Sequence, residues 1–256
     1  MIHPTAIIHP DARLADDVTV GAYSTIGEHV VVGSGSTIAS HVVLEGWTEI
    51  GCDNKIFQFA SIGADPQDLK YAGEKTWLKI GDRNRIREFT TMNRGTADGG
   101  GITSVGSDNL FMAYSHVAHD CIVHDHAILA NGATLAGHVE VESTAILGGL
   151  SAVHQFCRIG CHTMISGGAM VTQDVPPYTL AQGDRAKMVG LNLIGMKRRG
   201  FSAESIRGIK SAYRLLFRSG LRLEDALQKV ADEVEMTPEL EHFVSFIKGS
   251  ERGIAR

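Results

Sequence analysis

The chain has 256 residues, 43% hydrophobic and 21% charged, and its formal net charge of -5 lacks the basic excess expected of a nucleic-acid binder. The opening MIHPTAIIHPDARLADD has no charged head leading into an apolar core, and no stretch approaches the ~20 apolar residues of a membrane span. The expectation is a cytoplasmic protein of one or two domains with no transmembrane segment.

From the start of the chain an aliphatic side chain recurs at every sixth position, from Ile2 through Leu14, Val20, Ile26, Val32, Ile38, Leu44, Ile50 and Ile56 to Ile62, then at Ile80, Ile86 and Met92. A second run keeps the beat from Val105 through Phe111, Val117, Val123, Leu129, Leu135, Val141, Leu147, Val153, Ile159 and Ile165 to Val171. No α-helix or flat sheet demands that period. A parallel β-helix does, because each hexad forms one strand and one turn of a prism, and three hexads close a coil around a shared apolar interior. A sandwich of alternating strands is the alternative, but it needs no fixed beat across so many units. Aromatics at 6% suit a narrow interior filled by branched aliphatics.

Two stretches leave the beat: 63–79 returns in phase, and 94–104 returns shifted by one, so both are expected to bulge from the prism as loops. Four cysteines, Cys52, Cys121, Cys157 and Cys161, show no metal-knuckle spacing. Of the 12 histidines, His116, His119, His124, His126, His138, His154 and His162 fall in the second run. Residues eighteen apart stack on adjacent coils, about 4.8 Å from one another. His119 is therefore expected under Gly137, beside His138, and two coils below Gln155, beside His154. That strip offers imidazoles suited to proton removal near neutral pH and a glycine whose backbone N–H a substrate can approach.

The repeat is expected to end near QDVPPYTLAQGD, since adjacent prolines cannot continue a ladder. This divides the chain into a β-helix over 1–190 and a C-terminal α-helical domain over 191–256. In that domain Ser202 caps a helix with Ile206, Ile209, Tyr213, Leu216 and Phe217 on one face, and a second amphipathic stretch runs from Glu224 to Val234. A third opens with Thr237 and Pro238, turns Leu240, Phe243, Val244 and Ile247 inward, and stops near Gly249.

The stretches QDLKYAGE (67–74), NRIRE (84–88), RGT (94–96), HVAHDCIVHDHAILAN (116–131), AGHV (136–139), VHQFCRIG (153–160), QDVPPY (173–178) and KRRGF (197–201) resemble the acyl carrier protein-dependent UDP-N-acetylglucosamine O-acyltransferases that begin lipid A synthesis. The resemblance spans essentially the whole chain. It implies a left-handed parallel β-helix of hexapeptide repeats, assembled as a homotrimer with active sites between subunits. It also implies transfer of a 3-hydroxyacyl group from the phosphopantetheine thioester of acyl carrier protein to the sugar 3-hydroxyl, with no metal and no bound cofactor. On this likeness His119 is the general base, Asp120 holds its tautomer and Gly137 offers its N–H to the oxyanion. Asp68, Lys70, His116, His138, His154 and Gln155 bind substrate. Asn192, Arg198 and Arg199 match the nucleotide-binding segment, where guanidinium groups suit a pyrophosphate. Gly167 and Gly168 lie in the stretch that measures acyl length.

Two positions depart from the family pattern: Asn93 stands in MNRGT where histidine is common, and Ile194 in NLIGMKRRG where glutamate is common. Both touch expected sugar contacts and raise a UDP 3-amino sugar as an alternative acceptor. A γ-carbonic-anhydrase-like zinc enzyme on the same prism is a further alternative, suggested by the clustered His116, His119, His124 and His126. A repetitive structural β-helix would show a flat threonine-rich face, which this sequence lacks. Arg158, Lys187 and Arg199 are candidates for docking an acidic carrier protein.

Overall fold

A computed structural model describes all 256 residues. Most strands are only two residues long, because each hexad gives one inward aliphatic position before the chain turns. The strands fall into three sheets of nine, eight and ten, in which each strand pairs in parallel with the strand three along or three back, except at the last coil. Ile128–Leu129, for example, lies between Leu110–Phe111 and Ile146–Leu147, register Phe111 with Leu129 and Leu129 with Leu147. The result is a left-handed parallel β-helix.

The inward positions build one core of 39 buried residues along the prism axis, in which Ile26, Leu44, Ile62, Met92, Phe111 and Leu135 are at most 1% exposed. The small residues between hexads also face inward: Ser115, Cys121, Ala127, Ala133, Ala145, Ser151, Cys157, Thr163 and Ala169 are fully buried. They fill the corners, where a larger side chain would meet the next coil.

Each coil has three edges. The first carries the chain from the nine-stranded to the eight-stranded sheet, the second on to the ten-stranded sheet, and the third back. Sixteen non-glycine residues adopt positive φ, nearly all at these edges, among them Asp120 (59°), His138 (61°) and Phe156 (65°). The left-handed conformation is therefore part of the corner turn and not a strain confined to one place. Along the third edge the same position stacks Tyr23, His41, Phe59, Phe89 and Tyr114, ring centroids 4.8–5.2 Å apart.

Both departures from the beat emerge at the first edge. The irregular stretches are shorter than the break in the hexads, however. Strands Ser61–Ala64 and Trp77–Ile80 leave 65–76 as the first loop, and Thr91–Asn93 and Ile102–Val105 leave 94–101 as the second. Four-residue strands here run into the loop bases and hide them from a six-residue pattern.

The adjacent prolines do not end the ladder. Strand Thr179–Gln182 pairs in parallel with Met164–Ile165, then folds back antiparallel onto Lys187–Leu191. The prolines occupy the preceding corner, where no ladder N–H is needed, and the hairpin closes the last coil.

Four helices follow: α1 (Leu193–Arg198), α2 (Ala203–Arg218), α3 (Leu223–Glu233) and α4 (Pro238–Lys248). Ser202 and Thr237 accept from Ser205 N and Leu240 N as N-caps, and Ile209, Leu216, Phe243 and Ile247 belong to a second core of 14 residues. The short α1 is not legible in the hexads or in the amphipathic pattern, because one turn and a half carries too few apolar positions to show a period.

Candidate active site

His119 and Asp120 form the first-edge corner between strands His116–Val117 and Ile122–Val123. One coil on, the corner is Gly137 and His138; the next is Gln155 and Phe156, following His154. The stacking expected from eighteen-residue spacing is realised: His138 N–H donates to His119 O at 3.0 Å, and Phe156 N–H to Gly137 O at 3.1 Å.

His119 Nδ1 lies 2.8 Å from Asp120 Oδ2. With the Nδ1 proton donated to that carboxylate, Nε2 keeps its lone pair. Asp120, its side chain 1% exposed, is held through both its carboxylate and its backbone. Oδ1 accepts the Thr96 N–H at 2.8 Å, Oδ2 accepts the Thr96 hydroxyl at 2.6 Å, and Thr103 Oγ1 accepts the Asp120 N–H at 2.8 Å. The second loop passes directly over this carboxylate, so close that a Cβ on Gly99 would fall 2.1 Å from Asp120 Cγ. Only glycine permits that approach.

The His119 ring lies against Gly137, where an added Cβ would sit 2.5 Å from His119 Cε1 and 2.7 Å from Nε2. Gly137 N–H donates to no protein acceptor. His138 stacks on Phe156 at 4.4 Å, meets His119 edge-on at 5.1 Å, and brings Nε2 to 3.6 Å from Asp120 Oδ2. Burial lowers the His138 pKa and His119 adds to this, while Asp120 and Asp68 act against it. His116, bonded through Nδ1 to Thr91 Oγ1 at 2.7 Å, is likewise lowered by burial and then by His119. Both shifts favour the neutral imidazole at these two positions.

The first loop brings Asp68 and Lys70 to the same edge. They line a cavity of about 130 Å³ with Tyr71, Glu74, Thr96 and Ala97. Buried Arg94 anchors this loop, donating to Gly63 O, to Asp65 and, at 2.9 Å, to the Tyr71 hydroxyl. Asn93 is 3% exposed and donates to Asp65 O at 2.7 Å; its Oδ1 has no partner.

The other expected site residues lie elsewhere on the same chain. Asn192 caps α1, accepting from Gly195 N at 3.0 Å and donating to His162 O at 2.9 Å, which puts the start of α1 at the second edge. Exposed Arg198 and Arg199 end α1, with Arg199 close enough to His162 to help lower its pKa after burial. Ile194, also on α1, is 67% exposed. Gly167 and Gly168 sit at the third edge, and an added Cβ on Gly168 meets nothing within 4 Å. Of the docking candidates, Arg158 is engaged: it bonds Glu140 at 3.0 Å, nears Glu142 at 3.7 Å and lies over Phe246. That burial in contacts removes it as a free docking cation.

Thr96, Thr103 and Arg94 were not expected as site residues. Thr103 was within reach of the spacing argument, since Ser104 pairs with Ile122 eighteen residues on. Thr96 and Arg94 lie where loop length, and not the period, sets the neighbours.

Comparisons with known proteins find relatives along the whole chain. Residues 174–255 match the family model of UDP N-acetylglucosamine O-acyltransferase, domain 2, and residues 1–34, 11–46 and 102–137 match that of bacterial transferase hexapeptide repeats. A protein from Herminiimonas arsenicoxydans named acyl-(acyl-carrier-protein) UDP-N-acetylglucosamine O-acyltransferase is 56% identical over 100% of this chain and 99% of its own length. One of the same name from Myxococcus xanthus is 57% identical with the same coverage. Among solved structures, a UDP-N-acetylglucosamine acyltransferase from Bacteroides fragilis superposes with a TM-score of 0.98 at 45% identity, covering 100% of both chains.

Proposed function

The chain belongs to the acyl-(acyl-carrier-protein) UDP-N-acetylglucosamine O-acyltransferase family, and from that premise we propose how the His119 edge performs the transfer. The enzyme moves an acyl group from acyl carrier protein to UDP-N-acetylglucosamine in lipid A synthesis. In our reading His119 Nε2 takes the proton of the sugar 3-hydroxyl as its oxygen attacks the carbonyl carbon of the 3-hydroxyacyl thioester. The charge that develops on the carbonyl oxygen is met by Gly137 N–H. Collapse expels the phosphopantetheine thiolate, which recovers the proton from Nε2, so the base is regenerated without a metal or bound cofactor. The observation that carries this reading is the His119–Asp120 bond at 2.8 Å on a ring packed against Gly137, whose N–H has no protein acceptor.

Asp68, Lys70, His116, His138, His154 and Gln155 then hold the sugar and the pantetheine arm along the first edge. Asn192, Arg198 and Arg199 sit at another edge of the same chain, so in this reading they complete the site of a neighbouring copy in a homotrimer. Gly167 and Gly168 leave room at the third edge for the end of the acyl chain, which favours a long one. No helix is long and apolar enough to cross a membrane. A cytoplasmic enzyme supplied by a diffusible carrier protein fits this description.

The deciding assay is transfer from 3-hydroxyacyl carrier proteins of graded length, with UDP-N-acetylglucosamine and its 3-amino analogue as competing acceptors. We expect turnover on the hydroxyl sugar, loss of it in His119→Ala, and a shorter preferred chain in Gly168→Met. Exclusive use of the amino sugar would instead assign Asn93 to acceptor choice, and an active His119→Ala would remove the proposed base.

A further inference from the structure

A second cluster of ligating side chains lies at the second edge, away from the His119 corner and unused by the transfer chemistry. Glu142 and Cys161 project from consecutive coils there, and His242 reaches them from α4, one hundred residues along the chain from Glu142. One ligand atom from each lies within 4.8 Å of the other two. Glu142 Oε2 accepts from His242 Nε2 at 2.7 Å and from Cys161 N–H at 2.8 Å. We propose that Glu142, Cys161 and His242 form a zinc site that fastens the helical domain to the prism.

The donor set is the first support. A thiolate, an imidazole and a carboxylate together suit zinc, and three protein ligands leave a fourth position for water. Their summed charge, with Cys161 deprotonated and His242 neutral, is that of a double anion, which one Zn²⁺ neutralises. Binding therefore releases the protons now shared among the three groups. Geometry is the second. Tetrahedral bonds of about 2.0–2.3 Å separate ligand atoms by roughly 3.3–3.8 Å, so closing the cluster needs side-chain shifts of little more than about 1 Å. The Glu142–His242 contact opens slightly and the thiol moves in. The third support is anchoring. Cys161 N–H already fixes Glu142, whose Oε1 faces Arg158 Nη2 at 3.7 Å, leaving Oε2 directed at the cluster.

A rival cluster exists at the active edge, where His119, Asp120 and His138 also lie within 4.8 Å of one another. The test must separate the two. Full-length protein equilibrated with zinc chloride and freed of excess metal is analysed for bound zinc and for melting temperature, alongside Cys161→Ser, His242→Ala and His138→Ala. We expect one zinc per chain in the wild type and in His138→Ala, a raised melting temperature with metal, and loss of both in Cys161→Ser and His242→Ala. Cobalt substitution of the wild type gives a readout that requires no variant to fold: a thiolate-to-cobalt charge-transfer band. Absence of that band, no retained zinc, or zinc lost only in His138→Ala would overturn the assignment.

Discussion

At the residue scale, the site depends on one proton being kept on one nitrogen. Asp120 does this while buried, and its own oxygens are satisfied by Thr96 and by His119. Replacing Thr96 with valine removes the hydroxyl and leaves the backbone bond. Transfer should fall several-fold in kcat with little change in KM, since the hydroxyl orients Asp120 and not the substrate. His119→Ala should cost about 10²–10⁴ in kcat/KM, the usual worth of a general base. The lowered pKa of His116 gives a further test. A histidine depressed in the folded state binds its proton first in the unfolded chain, so its contribution to stability is present above the unfolded pKa of ~6.5 and is lost as pH falls through that value toward the folded one. Melting temperature should drop as pH is lowered from neutrality through about 6, and His116→Gln should flatten that slope.

At the element scale, the first loop is placed by Arg94. Its guanidinium joins Gly63, Asp65 and Tyr71, and Trp47 lies 5.7 Å away across its face. Arg94→Ala should free residues 65–76, seen as faster amide exchange confined to that segment, at a cost of about 2 kcal/mol for the lost charged hydrogen bonds. If exchange rose equally throughout the prism, Arg94 would be a general core residue and not the anchor of the loop. The coils make the opposite case, because each buried position is shared with the coils on both sides. Phe111, fully buried between Ile86 and Leu129, should lose about 3–5 kcal/mol on replacement by alanine, measured by denaturant unfolding.

At the scale of the whole molecule, the catalytic corner and the basic end of α1 lie on different edges of one prism. If they meet only between copies, His119→Ala and a combined Arg198→Ala, Arg199→Ala variant should each be nearly inactive alone. After mixed refolding, random assortment should restore about a quarter of the sites. A mixture no more active than its parents would confine the site to a single chain.

The hexad period alone yields the prism, the inward positions and the stacking of His119 under Gly137. A fixed period makes spatial neighbours computable from residue number, and each coil contacts only the next. The helical caps at Ser202 and Thr237 were legible for a similar reason, being local bonds across three residues. Outside the period that arithmetic fails. The fold alone placed Thr96 and Gly99 on Asp120, Arg94 under the first loop, and His242 against Glu142 and Cys161, because these contacts join a loop or a helix to a coil far away in sequence. It also separated Asn192, Arg198 and Arg199 from the His119 edge, since the path of the chain off the last coil, set by the closing hairpin and the packing of the helical domain, decides which edge they reach.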